Sequence, residues 1–273
     1  MLTPEQIRSF RDNGFLNYGR VLTDSQLADL RTALDRVLAG QSADKAEQVG
    51  NLSGGGQVVT QVVNIWEAEP AFREHLFNRE IVPLIAQLMD TDTVRVWHDQ
   101  IQIKPPRIGG PTIWHQDHPY WPVIQPADLV SAWVALEDAV IENGAMWMVP
   151  GSYKWGPYNG PQGDGTIGLA EDELSPAHDP THIPEGAKVE IVACEVPAGS
   201  VVFHHCLTWH GAPPNRSDKS RPAIAVHYMP GHTRYEPHGK THVVEHNITV
   251  APGEILQGDH FPTVMENGRL LAA

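Results

Sequence analysis

His115-Gln116-Asp117 sets an imidazole and a carboxylate two positions apart. In an extended segment such residues share one face, so a single wall can offer both to the same ion. A second imidazole from a distant strand would complete a two-histidine, one-carboxylate face. That face leaves three positions on an octahedral Fe(II) open for a bidentate cosubstrate and for O2. His210, in Trp209-His210-Gly211, is the best candidate for the third ligand. An HxD step is a weak signal by itself in a chain with 15 histidines, and the distal half strengthens it. Arg221 stands at the mouth of the next strand candidate. Its rigid fork can clasp the far carboxylate of 2-oxoglutarate in a bidentate pair, a geometry that lysine does not match.

Elements must bring these residues together. Thr3-Pro4-Glu5-Gln6 reads as an N-cap, a proline at the first helical position and a polar first turn, which predicts a short helix through Ile7 and Phe10. Leu27, Leu30, Leu34 and Val37 predict a second helix from Thr23 or Asp24 to Gly40, and a third spans Arg79 to Leu88. Gln41 to Gly56 is polar and glycine-rich and reads as a mobile connector. From Thr93 onward short β-rich runs alternate with turn residues: Val94–Ile103, Leu129–Leu136, Met146–Val149, Val189–Val192, Val201–His204 and Ala223–Tyr228. Asn143-Gly144 gives a hairpin signal between two of them. Tyr153 to Gly186 reads as a functional loop or lid. The pattern predicts a mainly β jelly roll with flanking N-terminal helices. It forms one domain: helical support over about 1–90, a β core over about 91–230 and a tail over 231–273.

WHQDHPYWP at the metal motif, ENGAMWMVPGSYKW downstream and WHGAPPNRSDKSRPA at the distal histidine together resemble the phytanoyl-CoA dioxygenase family. The likeness extends from the N-terminal helix and its Gly-Phe exit, through NIWEAEPAF at Asn64 to Phe72, to about Pro230. The resemblance implies a double-stranded β-helix (jelly roll, cupin-like). It implies an enzyme that uses Fe(II), 2-oxoglutarate and O2 and couples oxidative decarboxylation, to succinate and CO2, to hydroxylation of an unactivated carbon. It makes His115, Asp117 and His210 the iron ligands and Arg221 the 2-oxoglutarate anchor, with Trp133 lining the cosubstrate pocket and Gln102 a polar contact to it. Where the family often has a serine or threonine two residues after the distal histidine, this chain has Ala212; Thr112 is a substitute donor, or the anchoring is looser. Related halogenases replace the carboxylate with a small residue. The presence of Asp117 therefore favours hydroxylation, desaturation or epimerisation over halogenation.

Asn64, Trp66, His98, Tyr120, Trp121 and Trp147 form a candidate substrate pocket, although core packing explains any one of them equally well. His118, His204 and His205, like His98, read first as hydrogen-bonded histidines in or beside the sheet. His232, His238, His242, His246 and His260 read as a polar C-terminal tail rather than a second metal site. A formal charge of -14 argues against nucleic acid as a partner. The few cations offer no clamp for the phosphates of CoA, which points to a free small-molecule substrate. Two cysteines and no apolar run of membrane-spanning length fit a cytoplasmic protein without a membrane partner. Two alternatives stay open: a catalytically silent jelly-roll binding protein, and a metal-dependent cupin-like enzyme that does not use 2-oxoglutarate.

Overall fold

The computed structural model describes residues 1–158, apart from 43, 45, 47 and 53–55, and residues 183–273. Most of the loop read over Tyr153 to Gly186 therefore lies outside the described residues. In chain order the elements are α1 (Pro4–Asn13), β1 (Phe15–Arg20), α2 (Asp24–Leu38), β2 (Gln48–Asn51), β3 (Thr60–Val63), α3 (Ile65–Ala68), α4 (Pro70–Leu76) and α5 (Ile81–Met89). There follow β4 (Val94–Lys104), β5 (Thr112–His115), β6 (Ile124–Gln125), β7 (Val130–Ala135), β8 (Met146–Met148), β9 (Val192–Cys194), β10 (Ser200–His205) and β11 (His210–Ala212). β12 (Arg221–Pro230), β13 (Arg234–Tyr235), β14 (Thr263–Glu266) and β15 (Arg269–Leu270) complete the chain.

The first two helices start where their caps dictate. Thr3 and Gln6 exchange side-chain and backbone bonds in a capping box, and Thr23 and Gln26 repeat it. Gly14, at φ 80, ends α1 in the left-handed region. The third expected helix begins at Ile81, because Asn78 Oδ1 accepts the backbone N–H groups of Glu80 and Ile81 at 2.9 and 3.2 Å. α3 and α4 are too short to show a helical period and were not expected.

Strands β1, β10, β7, β12, β4, β14 and β15 lie side by side in one sheet, to which β3 and then β2 are added at the other end of β4. The pairings are antiparallel. Opposite it, β5, β11, β8 and β9 make a smaller sheet. Strand period sorts the core. Val130, Ala132 and Val134 of β7, with Ile224, Val226 and Tyr228 of β12, pack against the helices, where Ile81, Val82, Leu84 and Ile85 of α5 are buried. Trp133 and Ala135, with Ala223 and Ala225, face Met146 and Met148 of the smaller sheet. This arrangement is the mainly β, cupin-like jelly roll expected, with helices on the outer face of the larger sheet.

Four local expectations change. The Gln41 to Gly56 connector contains β2, which pairs with β3 over Gln48–Asn51. The run at Val189–Val192 gives a strand only from Val192, where Met148 offers a partner. Asn143-Gly144 does not join a hairpin, because β7 belongs to the larger sheet and β8 to the smaller one. There Asn143 Nδ2 donates to Asp138 O at 2.7 Å, and Gly144 takes φ 90 with Lys104 so close that a Cβ would lie 2.8 Å from its Cδ. The C-terminal segment is more than a polar tail. Val244, Leu256 and Phe261 are buried, and Phe261 stacks on Trp97 with ring centroids 5.5 Å apart.

Candidate active site

His115 ends β5 and His210 begins β11, and the two residues face each other as ladder partners. Their ring centroids lie 4.1 Å apart. Asp117 reaches them differently from the sequence expectation. The chain leaves β5 at His115, and Asp117, at φ -70 and ψ -48, precedes the turn His118–Tyr120. A turn, rather than strand alternation, therefore brings the carboxylate beside the imidazole. Asp117 Oδ1 lies 3.5 Å from Nε2 of both His115 and His210. The three side chains offer ligand atoms within 4.8 Å of one another, the one such group of three among the described residues.

Each ring is held by its other nitrogen. His115 Nδ1 donates to Ile113 O at 2.7 Å and His210 Nδ1 to Thr208 O at 2.9 Å. With Nδ1 fixed as the donor, the lone pair of Nε2 is left for a cation. Oδ2, the far oxygen of Asp117, accepts from His204 Nε2 at 3.0 Å and from Ser131 Oγ at 3.3 Å. Burial opposes ionisation of this carboxyl. The three imidazoles around it, those of His210, His115 and His204, outweigh burial and hold it well below the usual carboxylate range. Two nitrogens and an ionised oxygen, all buried and convergent, are a donor set that suits Fe(II).

A partly open cavity of about 30 Å³ adjoins this group. Arg221, Gln102, Thr112, Trp133 and Ala212 line it, and Gln100, Ala225, His204 and His227 also border it. Arg221 is 1% exposed, and its Nε and Nη1 have no hydrogen-bond partner in the protein. Its Cζ sits 5.4 Å from the centroid of the Trp133 ring. Burial lowers the guanidinium to about 10, which leaves it charged at neutral pH. Thr112 Oγ1 is likewise buried without a partner. A desolvated cation and a spare hydroxyl in one small cavity fit an anionic cosubstrate.

The other candidates scatter. Tyr120 meets His115 edge-on at 6.0 Å, and Trp121 packs against His98 and His227. His98 lies behind His227, with ring centroids 4.6 Å apart. Asn64, Trp66 and Trp147 do not line the cavity. Trp66 belongs to the helix-side core, with Arg73 over its ring at 5.4 Å. Trp147 packs beside Trp114 and Trp209, and its neighbour Met146 takes the inward position. His204, read first as an ordinary sheet histidine, holds Asp117. Ser131, Gln100 and His227 were not singled out, although counting by twos from Trp133, Gln102 and Arg221 reaches all three.

The family model for phytanoyl-CoA dioxygenase matches residues 10–223. The chain belongs to the phytanoyl-CoA dioxygenase family. It is 25% identical to a phytanoyl-CoA dioxygenase of Arabidopsis thaliana over 263 residues, which cover 84% of this chain and 89% of that protein. It is 26% identical to the peroxisomal phytanoyl-CoA dioxygenase of Bos taurus, covering 86% and 71%. Among solved structures, a non-heme alpha ketoglutarate dependent carbocyclase, SnoK from nogalamycin biosynthesis, is 30% identical and covers 97% of both chains with a TM-score of 0.78. As a family member the protein is an iron- and 2-oxoglutarate-dependent dioxygenase. Among the described residues no helix is long and apolar enough to cross a membrane.

Proposed function

We propose that His115, Asp117 and His210 hold Fe(II), that Arg221 holds the distal carboxylate of 2-oxoglutarate, and that the protein hydroxylates a carbon of a small molecule. One observation carries the reading. The three convergent ligand atoms share a cavity with a guanidinium whose Nε and Nη1 lack any protein acceptor. The cosubstrate's carboxylate is the partner that those two N–H groups lack. Thr112 donates its free hydroxyl where the family's serine or threonine is replaced by Ala212, and Gln102 and Trp133 flank the same ligand.

Bound together, iron, 2-oxoglutarate and O2 supply the oxidising power and yield succinate and CO2. The protein's own part is positional. Backbone carbonyls fix both imidazoles, His204 and Ser131 fix the carboxylate, and the Trp133 ring lies against the Arg221 guanidinium. The burial of these groups excludes water that would divert the oxidant.

The carboxylate at Asp117 supports oxygen chemistry over halogenation. The carbocyclase among the similar structures keeps a ring-forming outcome in view beside hydroxylation. A formal charge of -14 supports a free small molecule over a CoA thioester and disfavours nucleic acid. Two free, buried cysteines support a reducing compartment, which we take to be the cytoplasm. The whole chain works as one catalytic unit in this reading, supported by the pairing of β14 with β4.

Purified protein given Fe(II), 2-oxoglutarate and O2 is expected to release succinate, and His115→Ala and Asp117→Ala to abolish the release. Normal turnover in either variant would overturn the assignment. Arg221→Lys is expected to raise the KM for 2-oxoglutarate by about tenfold or more, since a bidentate charged pair becomes a single contact. An unchanged KM would remove Arg221 from the anchor role. A thermal shift caused by 2-oxoglutarate only when metal is present would count against the enzyme independent of 2-oxoglutarate, and succinate release would exclude the silent binding protein.

A further inference from the structure

Beyond the iron ligands, β4 and β12 place His98 and His227 opposite each other as ladder partners. Their rings are 3% and 1% exposed, and Nε2 of each is buried without a partner. The bonds of the other ring nitrogens decide what these two atoms are. His98 Nδ1 lies 3.3 Å from the Asp99 carbonyl, which only accepts, so Nδ1 carries the proton and Nε2 the lone pair. Ser131 Oγ gives its single proton to Asp117 Oδ2 and must accept from His227 Nδ1 at 2.6 Å. His227 Nε2 is therefore a bare acceptor as well.

Burial holds both rings neutral, with His98 pushed down to about 3 and His227 well below its ordinary value. Two buried acceptors on paired strands, neither with a hydrogen-bond partner in the protein, are an unmet demand. His227 borders the cavity beside the iron ligands. Trp121 stands edge-on to both imidazoles, at 5.7 Å from His98 and 4.7 Å from His227, and supplies a flat apolar wall. Among the described residues no free anion is present to balance a cation here. Asp117 is committed to His115, His204 and His210, and Asp99 belongs to the opposite face of β4, where burial pushes its carboxyl well up.

We propose that His227, which lines the cavity, with His98 packed behind it, forms a substrate subsite that accepts a hydrogen bond from a neutral hydroxyl group of the molecule to be oxidised. This proposal rests on the dioxygenase reading above and gives its substrate a chemical class, an uncharged, hydroxyl-bearing organic compound. A hydroxyl donates where the imidazoles only accept, whereas a carboxylate or phosphate would set acceptor against acceptor. An ammonium group would enter without a counter-charge.

The test has two parts. In the 15N-labelled protein, long-range proton–nitrogen correlation spectra are expected to show Nε2 of His98 and His227 unprotonated. A proton on both Nε2 atoms would overturn the proposal. The second part uses the protein loaded with Mn(II) and 2-oxoglutarate, and two matched pairs of probes, cyclohexanol with methoxycyclohexane and phenol with anisole, plus cyclohexylammonium. The alcohol of each pair is expected to bind about tenfold or more tightly than its methyl-capped partner, with shifts at the two ring nitrogens. His98→Phe and His227→Phe are each expected to erase that preference while the thermal shift from 2-oxoglutarate persists, which shows that the fold is intact.

Equal affinity within both pairs, no binding of either alcohol, or preference for the ammonium would overturn the subsite. A hydroxyl preference that survives in both variants would overturn it too. Failure of the dioxygenase reading would look different. Succinate would not form from 2-oxoglutarate with Fe(II), whatever the probes do.

Discussion

At the scale of single residues, the site depends on contacts that no ligand motif names. Asp117 offers one oxygen to the metal side, and His204 and Ser131 tie the other in place. Removing such outer contacts typically costs 10–100-fold in metal affinity. Ser131→Ala is thus expected to weaken Fe(II) or Co(II) binding by about tenfold with little change in thermal stability, as metal titration of the apoprotein would measure. An unaltered affinity would make Ser131 a packing residue only. The HxD step itself was legible because residue type and spacing suffice to suggest ligands. The grip on Asp117 was not, because His204 and Ser131 are 87 and 14 positions away from it and meet it only after the strands pair.

At the scale of elements, Lys104 joins the two sheets. It is fully buried at the end of β4, opposite Arg221, and its Nζ donates to Gly110 O at 2.7 Å, Pro213 O at 2.8 Å and Ala212 O at 3.3 Å. Gly110 leads into β5 with His115, and Ala212 ends β11 with His210. One ammonium therefore clamps both ligand strands to the strand pair that carries Arg221. Burial, then the nearby Arg221 charge, lowers the Lys104 amine well below its usual range. Lys104→Met keeps the stem and leaves three carbonyls without their donor. The expected result is a loss of about 2–4 kcal/mol in urea unfolding, with a higher KM for 2-oxoglutarate as the cavity walls drift apart. Loss of stability with an unchanged KM would confine the residue to folding. Nothing in the sequence around Lys104 marks this role, because charge alone does not reveal burial.

At the scale of the whole molecule, the fold encloses histidines that resist protonation. His75 on α4 is 5% exposed, and burial pushes its imidazole down to about 4. The unfolded chain, near the ordinary value of 6.5, takes up this proton first as the solution is acidified. The neutral ring's contribution is therefore complete above about pH 6.5 and is lost progressively as the pH falls toward 4. The slope is on the order of 1 kcal/mol per pH unit for one such group. His205 and His242, also lowered to about 4 by burial, act in the same direction. Urea midpoints measured from pH 7 to pH 4.5 are expected to fall, and His75→Leu to flatten part of that fall. An identical slope in the variant would rule out His75 as a contributor.

The sequence by itself determined the ligand types, the capped helices α1 and α2, the alternation along β4, β7 and β12, and the family likeness. These are local properties, written in spacing and in residue chemistry. The tertiary structure decided that a turn, not a strand, delivers Asp117, and that Trp66 and Trp147 stand away from the cavity. It also decided that Lys104 is a clamp and that the C-terminal histidines flank a buried apolar plug. The physical reason is the same throughout. Which groups lose water, and which donor finds which acceptor, depends on strands far apart in the chain becoming neighbours. His115, Asp117 and His210 announced themselves by type, whereas their protonation, their orientation and the bare acceptors beside them arise only when the two sheets close.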